Sequence, residues 1–369
     1  MTPVKLVLIG GFLGAGKTTL LAATARRLAE KGLRVGVITN DQAEELVDTQ
    51  NLSFQGLGVQ EVAGGCFCCR FKDLVGAAGR LVLKSRPEII LAEPVGSCTD
   101  LSATVLQPIK DLYGKYFKPA PYGVLADVER LADLFSGRAK DLFPDNVLYI
   151  YTKQLEEADL IVLNKTDLLT GDELQKLRDQ VSRTFPNNAI LPVSAQTGEG
   201  MDQWLEWIMS DRPAGRNIAQ VDYDTYAEGE AALGWLNAKA DLLAPGGADW
   251  PALVQRLMET LRDRLRARNA EIAHLKLFLA ATGGALVSSL TSAAGEPTLL
   301  THGSIETTAK NAELVLNARV HLDPEILREE IERALRKLDT FGVEIRFQKM
   351  EAFRPSRPQP THRYTRTID

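Results

Sequence analysis

No apolar run in this chain approaches the roughly 20 residues that a membrane-spanning helix needs. Cysteine is scarce as well, with 4 in 369 residues. Three of these are nearly adjacent, which rules out a disulfide framework and fits a reducing, cytoplasmic setting. Histidine is equally sparse. His274, His302, His321 and His362 are scattered, none forms a finger-like pair with the cysteines, and none is assigned to a metal. A basic excess is also missing. Lys and Arg number 43 against 48 Asp and Glu, a net charge of -5, which argues against a nucleic-acid-binding surface. There is no internal repeat. With 45% hydrophobic and 25% charged residues, the composition is that of a globular chain long enough for about two domains with full cores. Met1 to Leu8 has one early lysine and a short apolar run leading into a glycine-rich motif, so a buried strand is expected there rather than a signal sequence.

The first part of the chain alternates short apolar runs with amphipathic stretches. Val4–Ile9, Arg34–Thr39, Ile89–Ala92, Tyr122–Ala126, Leu160–Leu163 and Ala189–Val193 read as buried strands, with helices such as Thr18–Lys31 between them. This rhythm predicts a parallel sheet covered by helices on both faces. Asp211 to Arg216 is a compact polar break after a helix at Met201–Met209, and it sets the expected end of a first domain, 1–212. Residues 219–352 change rhythm: strand, helix, three strands, helix, strand. A smaller α+β domain related to the ferredoxin-like sandwich is expected there. Asp323 and Pro324 supply an N-cap and first-turn pair for its second helix. Residues 353–369, rich in proline and arginine, are expected to form a flexible tail.

Gly11-Phe12-Leu13-Gly14-Ala15-Gly16-Lys17-Thr18 satisfies G-x-x-x-x-G-K-[ST] between an apolar strand and a helix, the context that makes it a phosphate-binding loop rather than a plain glycine-rich turn. Backbone N–H groups along Gly11, Gly14, Ala15 and Gly16 would curl around the phosphates, with Thr19 continuing the first helical turn. Lys17 would reach the β- and γ-phosphates and Thr18 would hold Mg²⁺. Asn164-Lys165-Thr166-Asp167 follows the strand at Leu160–Leu163 and matches the N-K-x-D pattern. In it the aspartate accepts from two guanine donors that adenine lacks. Ser194-Ala195 fits the backbone contact to the guanine oxygen. Glu93 ends a strand where an acid near Mg²⁺ and the γ-phosphate is expected, and the Gly96 N–H is placed to sense that phosphate. Thr39-Asn40-Asp41 is the candidate first switch, with Asp41 approaching Mg²⁺; a solvated strand-end turn is the alternative.

Cys66, Cys68 and Cys69 follow Gly64-Gly65. Three sulfurs this close suit Zn²⁺ or another soft or borderline ion, with a fourth position left for water, a side chain or a partner. An incomplete sphere favours transfer over storage. A redox-active pair and buried apolar cysteines are the competing readings. Cys98 and Glu61 are further donors nearby, and whether either joins the metal stays open. The cluster lies between the two candidate switches, so nucleotide state can bear on it.

Gly10 to Thr19, Cys66 to Cys69, Glu93-Pro94-Val95-Gly96 and Asn164 to Asp167 together resemble the CobW-type GTPases, grouped with HypB and UreG. The resemblance covers about residues 1 to 210 with four motifs in order. It implies a P-loop GTPase that slowly hydrolyses GTP to GDP and phosphate. It also implies zinc or cobalt bound at the cysteines, GTP-dependent pairing of two copies, and metal delivery to a client metalloprotein. Two departures stand out. Thr39-Asn40-Asp41-Gln42 is closer to the UreG-like form than to the Asn-Glu-Phe-Gly of CobW relatives, and no His-rich stretch is present, which argues against a storage role. The alternative to a metal chaperone is a GTP-driven assembly or reactivation factor for a cobalamin- or metal-dependent enzyme, with no metal passing through it.

Overall fold

The computed structural model describes residues 2–42, 47–291, 298–306 and 309–368, with backbone alone over 298–302, so the side chain of His302 lies outside the described residues. The described chain divides into two units. One comprises residues 1–42, 56–229 and 357–369, the other 43–55 and 230–356.

The first unit is built on strands β1 (Val4–Gly11), β2 (Val35–Asn40), β3 (Val59–Val62), β4 (Ile89–Glu93), β5 (Phe117–Pro119), β6 (Gly123–Asp127), β7 (Leu160–Asn164) and β8 (Ala189–Val193). Their order is β3-β2-β4-β1-β6-β7-β8, with β5 beside the start of β1, and every pairing is parallel. Central strands buried on both faces, such as Ile89–Glu93 and Leu160–Asn164, carry continuous apolar runs because helices cover the sheet on both sides. Each of the six strands expected in this unit is present. β3 and β5 were not expected: β3 is short and mostly half-buried, and β5 has 3 residues and ends in proline, so neither gives a clear hydrophobic period.

The second unit has β9 (Gly234–Leu243), β10 (Ile272–Ala281), β11 (Gly284–Thr291), β12 (Thr298–Ser304), β13 (Asn311–Val320) and β14 (Glu344–Phe353), in the order β12-β11-β10-β13-β9-β14. The run β10-β13-β9-β14 is antiparallel throughout and has the strand order of the ferredoxin-like sandwich, extended by the β11-β12 hairpin. Helices Trp250–Arg266 and Pro324–Arg336 lay Leu257, Leu261, Leu265, Leu327, Ile331 and their neighbours into one core with the sheet. Asp323 caps the second helix by accepting from the backbone N–H groups of Glu325 and Ile326.

Three boundaries differ from the sequence expectation. The helix Val47–Phe54 belongs to the second unit: the Val47 N–H donates to Asn317 Oδ1 at 2.9 Å, Asp48 pairs with Lys276 at 2.8 Å, and Phe54 meets Phe278 edge-on. The polar break at Asp211–Arg216 does not end the first unit. Asp159, fully buried, accepts there from Gly215 N at 2.6 Å and Arg216 N at 2.8 Å while also accepting from Tyr122 N at 2.7 Å, so the connection is stitched to the sheet and the unit runs on to Gly229. The segment expected as a flexible tail is likewise bonded to the first unit from Arg357 onward. Its arginines find partners in carboxylates and backbone rather than in a hydrophobic face, which a composition argument does not register. Asp159→Ala strips one carboxylate from three backbone donors, so it is expected to destabilise the chain by roughly 3 kcal/mol, read as a lower urea midpoint with unchanged slope.

Candidate nucleotide and thiolate site

The carboxyl ends of β1, β2, β4 and β7 carry Gly11, Asn40, Glu93 and Asn164, the edge of an open parallel sheet where ligands collect. The phosphate-binding loop leaves β1 and enters the helix Lys17–Glu30. Gly16 caps that helix with a positive φ of 91°, and a Cβ there would run into the Asn164 amide, so glycine is required on two counts. Lys17 and Thr18 are buried and Thr19 is exposed. The Lys17 ammonium folds over the loop to donate to the Phe12 carbonyl at 3.3 Å. The Thr18 hydroxyl donates to Glu93 Oε1 at 3.1 Å. A hydroxyl and a carboxylate held together beside a phosphate-binding loop fit the donor set of Mg²⁺, a hard ion that takes oxygen ligands.

The Asn164–Asp167 side is equally tied to this loop. Asn164 donates from Nδ2 to the Ala15 carbonyl at 2.8 Å and accepts at Oδ1 from the Ala195 N–H at 3.0 Å, bridging the two loops. Asp167 Oδ1 accepts from the Ser194 hydroxyl at 2.5 Å. Lys165, at a positive φ of 69°, places its ammonium 2.5 Å from Asp127 Oδ2. Asp127, unanticipated from sequence, also caps the helix Val128–Ser136; the signal available was an apolar strand ending in Asp directly before a helical pattern. Arg130 of that helix is buried under the loop between the rings of Phe12 and Phe143, each 5.5 Å away.

The loop after β4 carries Gly96 and Cys98. A Cβ on Gly96 would lie 2.7 Å from Leu13 Cδ2 and 3.1 Å from Leu13 Cα, so this loop packs directly on the phosphate-binding loop. Cys98 N donates to Val95 O at 2.9 Å, closing a tight turn, and Gln154 donates to the carbonyls of both Gly96 and Cys98, at 2.9 and 2.8 Å. Gln154 sits in the last turn of the helix Asp145–Glu156, where nothing in the sequence marks it.

The thiolate cluster hangs from the end of β2. Asn40, the middle residue of the candidate first switch, donates from its amide to the carbonyls of Val62 and Gly65, both at 2.8 Å, and accepts from the Phe67 N–H at 2.9 Å. Asp41 is buried beside it; its N–H donates to the Val62 carbonyl, its carbonyl accepts from the Gly65 N–H, and its carboxylate accepts from the Gln42 N–H. The first switch is thus bonded to the cysteine loop. The sulfurs of Cys66 and Cys68 lie 2.8 Å apart, those of Cys66 and Cys69 3.2 Å, and those of Cys68 and Cys69 3.7 Å. Among the described residues this is the group whose ligating atoms gather within 4.8 Å. Glu61 is outside it.

Cys66 and Cys68 are buried and Cys69 is half-exposed. Hydrogen bonding orders their ionisation. Cys66 is held well below the usual thiol value because hydrogen bonding with Cys68, then with Cys69 and Cys98, favours its thiolate. Cys68 is pushed well up by giving its proton to Cys66, and Cys69 is raised to about 11 by the same partner. Tetrahedral thiolates around Zn²⁺ at about 2.3 Å stand roughly 3.8 Å apart, so the three sulfurs fit such an ion after a small outward movement.

A family model for the CobW/HypB/UreG nucleotide-binding domain matches residues 5–192. The zinc chaperone CobW of Sinorhizobium sp is 29% identical over 223 residues, covering 53% of this chain and 60% of that protein. The zinc chaperone YjiA of Escherichia coli strain K12 is 30% identical over 207 residues, covering 56% of this chain and 61% of that protein. The chain therefore spans about three fifths of the length of these relatives. The solved Zn(II)-bound YjiA GTPase from E. coli covers 90% of this chain and 99% of its own, at 17% identity and a TM-score of 0.39.

Asn40→Ala removes the amide's bonds to Val62, Gly65 and Phe67. It is expected to weaken Zn²⁺ binding by about 10-fold, as loss of an orienting partner does, while GTP affinity is retained; competition with a chromophoric chelator and nucleotide titration measure the two.

Proposed function

The chain belongs to the CobW/HypB/UreG family, and on that footing we propose that it is a cytoplasmic, GTP-dependent metal chaperone that carries zinc or cobalt to a client metalloprotein. The observation that supports this reading most strongly is the convergence of three cysteine sulfurs within 4.8 Å on a loop bonded to Asn40 and Asp41.

In this reading the glycine-rich loop from Gly11 to Gly16 and the Lys17 ammonium bind the phosphates, with Thr19 in the first turn behind them. Thr18 and Glu93 hold Mg²⁺, which neutralises charge on the transferred phosphoryl group. Glu93 and Asp41 are the candidate groups for orienting the attacking water. Asn164 and Lys165 shape the base pocket, Asp167 accepts from the guanine donors, and Ser194 and Ala195 flank the guanine oxygen. The Gly96 N–H senses the γ-phosphate. Because Gly96 and Cys98 share one loop, and Asn40 at the end of β2 is bonded to the loop that carries the cysteines, a γ-phosphate that pulls on either acts on the thiolate cluster. Cys66, Cys68 and Cys69 hold the cargo ion, and Cys98, whose thiol bonds to two of them, stands nearest to supplying a fourth sulfur. Hydrolysis relaxes the loops and releases the ion to the client, and GTP-dependent pairing of two copies is part of the same proposal.

Four tests follow from this reading. Changing Cys66, Cys68 and Cys69 together to serine should abolish tight Zn²⁺ binding and leave GTP binding intact; metal affinity that survives the change rejects the thiolate assignment. Asp167→Asn exchanges an acceptor for a donor, so GTP affinity should fall by 100-fold or more, toward the roughly 10⁴ to 10⁵ of a fully lost hydrogen-bonded recognition, while a xanthine nucleotide gains. Zn²⁺ affinity should drop as pH falls from 8 to 6, since the ion must displace protons that Cys68 and Cys69 retain. Transfer of chromophoric Co²⁺ to a client on GTP hydrolysis separates the chaperone from an assembly factor that grips the client without passing metal.

A further inference from the structure

The last segment of the chain runs over the thiolate loop. The Gln359 N–H donates to the sulfur of Cys69 at 3.2 Å. Two residues on, Thr361 donates from its N–H to the Cys68 carbonyl at 2.9 Å and from its hydroxyl to the Cys69 carbonyl at 3.1 Å. His362 packs edge-on against Phe71, at the start of the helix that follows the cysteines, with ring centroids 5.1 Å apart. The segment therefore covers the side of the cluster on which Cys69, the least buried of the three, is open.

The same segment then crosses to the loop after β4. Arg363 Nε donates to Asp100 Oδ2 at 2.7 Å, and the Tyr223 hydroxyl donates to the same oxygen at 2.7 Å. Asp100 is fully buried and holds a positive φ of 67°, two residues beyond Cys98 and seven beyond Glu93. A buried carboxylate needs such a cation. Beyond Arg363, the Tyr364 N–H donates to the Ala103 carbonyl at 3.1 Å, inside a π-helical turn at Ser102–Leu106 whose widened spacing frees carbonyls. The Tyr364 hydroxyl donates to Asp111 at 2.6 Å, the Ile368 N–H to Gln107 Oε1 at 2.8 Å, and Lys110 to the Ile368 carbonyl at 2.7 Å. At the near end, Arg357 donates to Asp224 at 2.8 Å.

We propose that residues 357–368 are a strap that closes the thiolate site and ties its opening to the loop after β4, with the Gln359 N–H positioning Cys69 and Arg363 latching the strap to Asp100. This rests on the reading of the cysteines as the cargo site. An N–H aimed at a sulfur fixes the direction in which it faces an ion, as groups orienting metal ligands do. The latch lies on the segment that also carries Glu93, Gly96 and Cys98. Movement of that segment with the γ-phosphate shifts Asp100, carries Arg363 with it and lifts Gln359 from Cys69. The strap therefore lets nucleotide state gate both entry of the ion and its release.

The test compares the full chain with a chain ending at Ser356 and with Gln359→Pro, Arg363→Gln and Arg363→Lys. GTP binding serves as the check that each is folded. In metal-free protein, reaction of the cluster thiols with a disulfide reagent that releases a coloured thiol should run about 10-fold faster without the strap and with Gln359→Pro or Arg363→Gln, with Arg363→Lys in between. Release of Zn²⁺ to a chromophoric chelator should quicken by a similar factor, and the difference in thiol reactivity between GTP-analogue and GDP forms should vanish in Arg363→Gln. Thiol reactivity and Zn²⁺ release unchanged in the GTP-binding shortened chain overturn the strap. Should that chain fail to bind GTP, unchanged rates in both Gln359→Pro and Arg363→Gln overturn it instead. A protein that holds no Zn²⁺ in any form rejects the cargo site, and the thiol-reactivity comparison still decides the strap by itself.

Discussion

Much of this molecule's candidate chemistry depends on how one amide is used. Asn40 ends β2 and bonds through both its donor and its acceptor to the loop carrying Cys66, Cys68 and Cys69. A carboxylate at this position would have no N–H to give the carbonyls of Val62 and Gly65, and a hydroxyl could not span both. Because β2 pairs with β4 from Val35 to Thr39, and β4 delivers Glu93 to the Thr18 hydroxyl, the cysteine loop is joined through adjacent strands to the phosphate-binding loop. No long relay is needed. The two candidate sites are neighbours along one sheet edge, and their spacing is set by parallel strand register.

Within the cluster, the sulfurs hold one another. Crowding thiols together makes the first ionisation easy, because the remaining protons are shared with the first thiolate, and makes later ones hard. Cys66 lowered and Cys68 and Cys69 raised are the two sides of that sharing. The arrangement suits a site that must accept an ion and also give it up. A metal displaces the shared protons, and returning protons compete with it. A site of fully ionised, separately stabilised thiolates would bind harder and release less readily.

The parts legible in the sequence were those whose chemistry is local. The phosphate-binding loop, Asn164 to Asp167 and the three cysteines are contiguous motifs, and the central strands announce themselves as unbroken apolar runs because they are buried on both faces. The antiparallel sandwich was legible for the same reason, through amphipathic helices capped by residues such as Asp323. What stayed hidden were long-range polar contacts. Asn40, Gln154, Asp127 and Asp159 each act through hydrogen bonds to backbone 20 or more residues away or to a distant side chain, and an isolated polar residue carries no period or spacing that reveals its partner.

The domain boundaries were misread for a related reason. A polar, proline-containing stretch reads as a linker when its only alternative is burial of apolar surface. Here Asp211 to Arg216 and Arg357 to Ile368 are held by a different currency: backbone N–H groups donated to buried carboxylates, and arginines paired with Asp100 and Asp224. The residues that make these contacts are the ones that composition counts as disorder-promoting. The converse holds for Val47 to Phe54. A short segment between two motifs of the first unit is naturally assigned to that unit, yet its aspartate and phenylalanine find Lys276 and Phe278 on the other sheet.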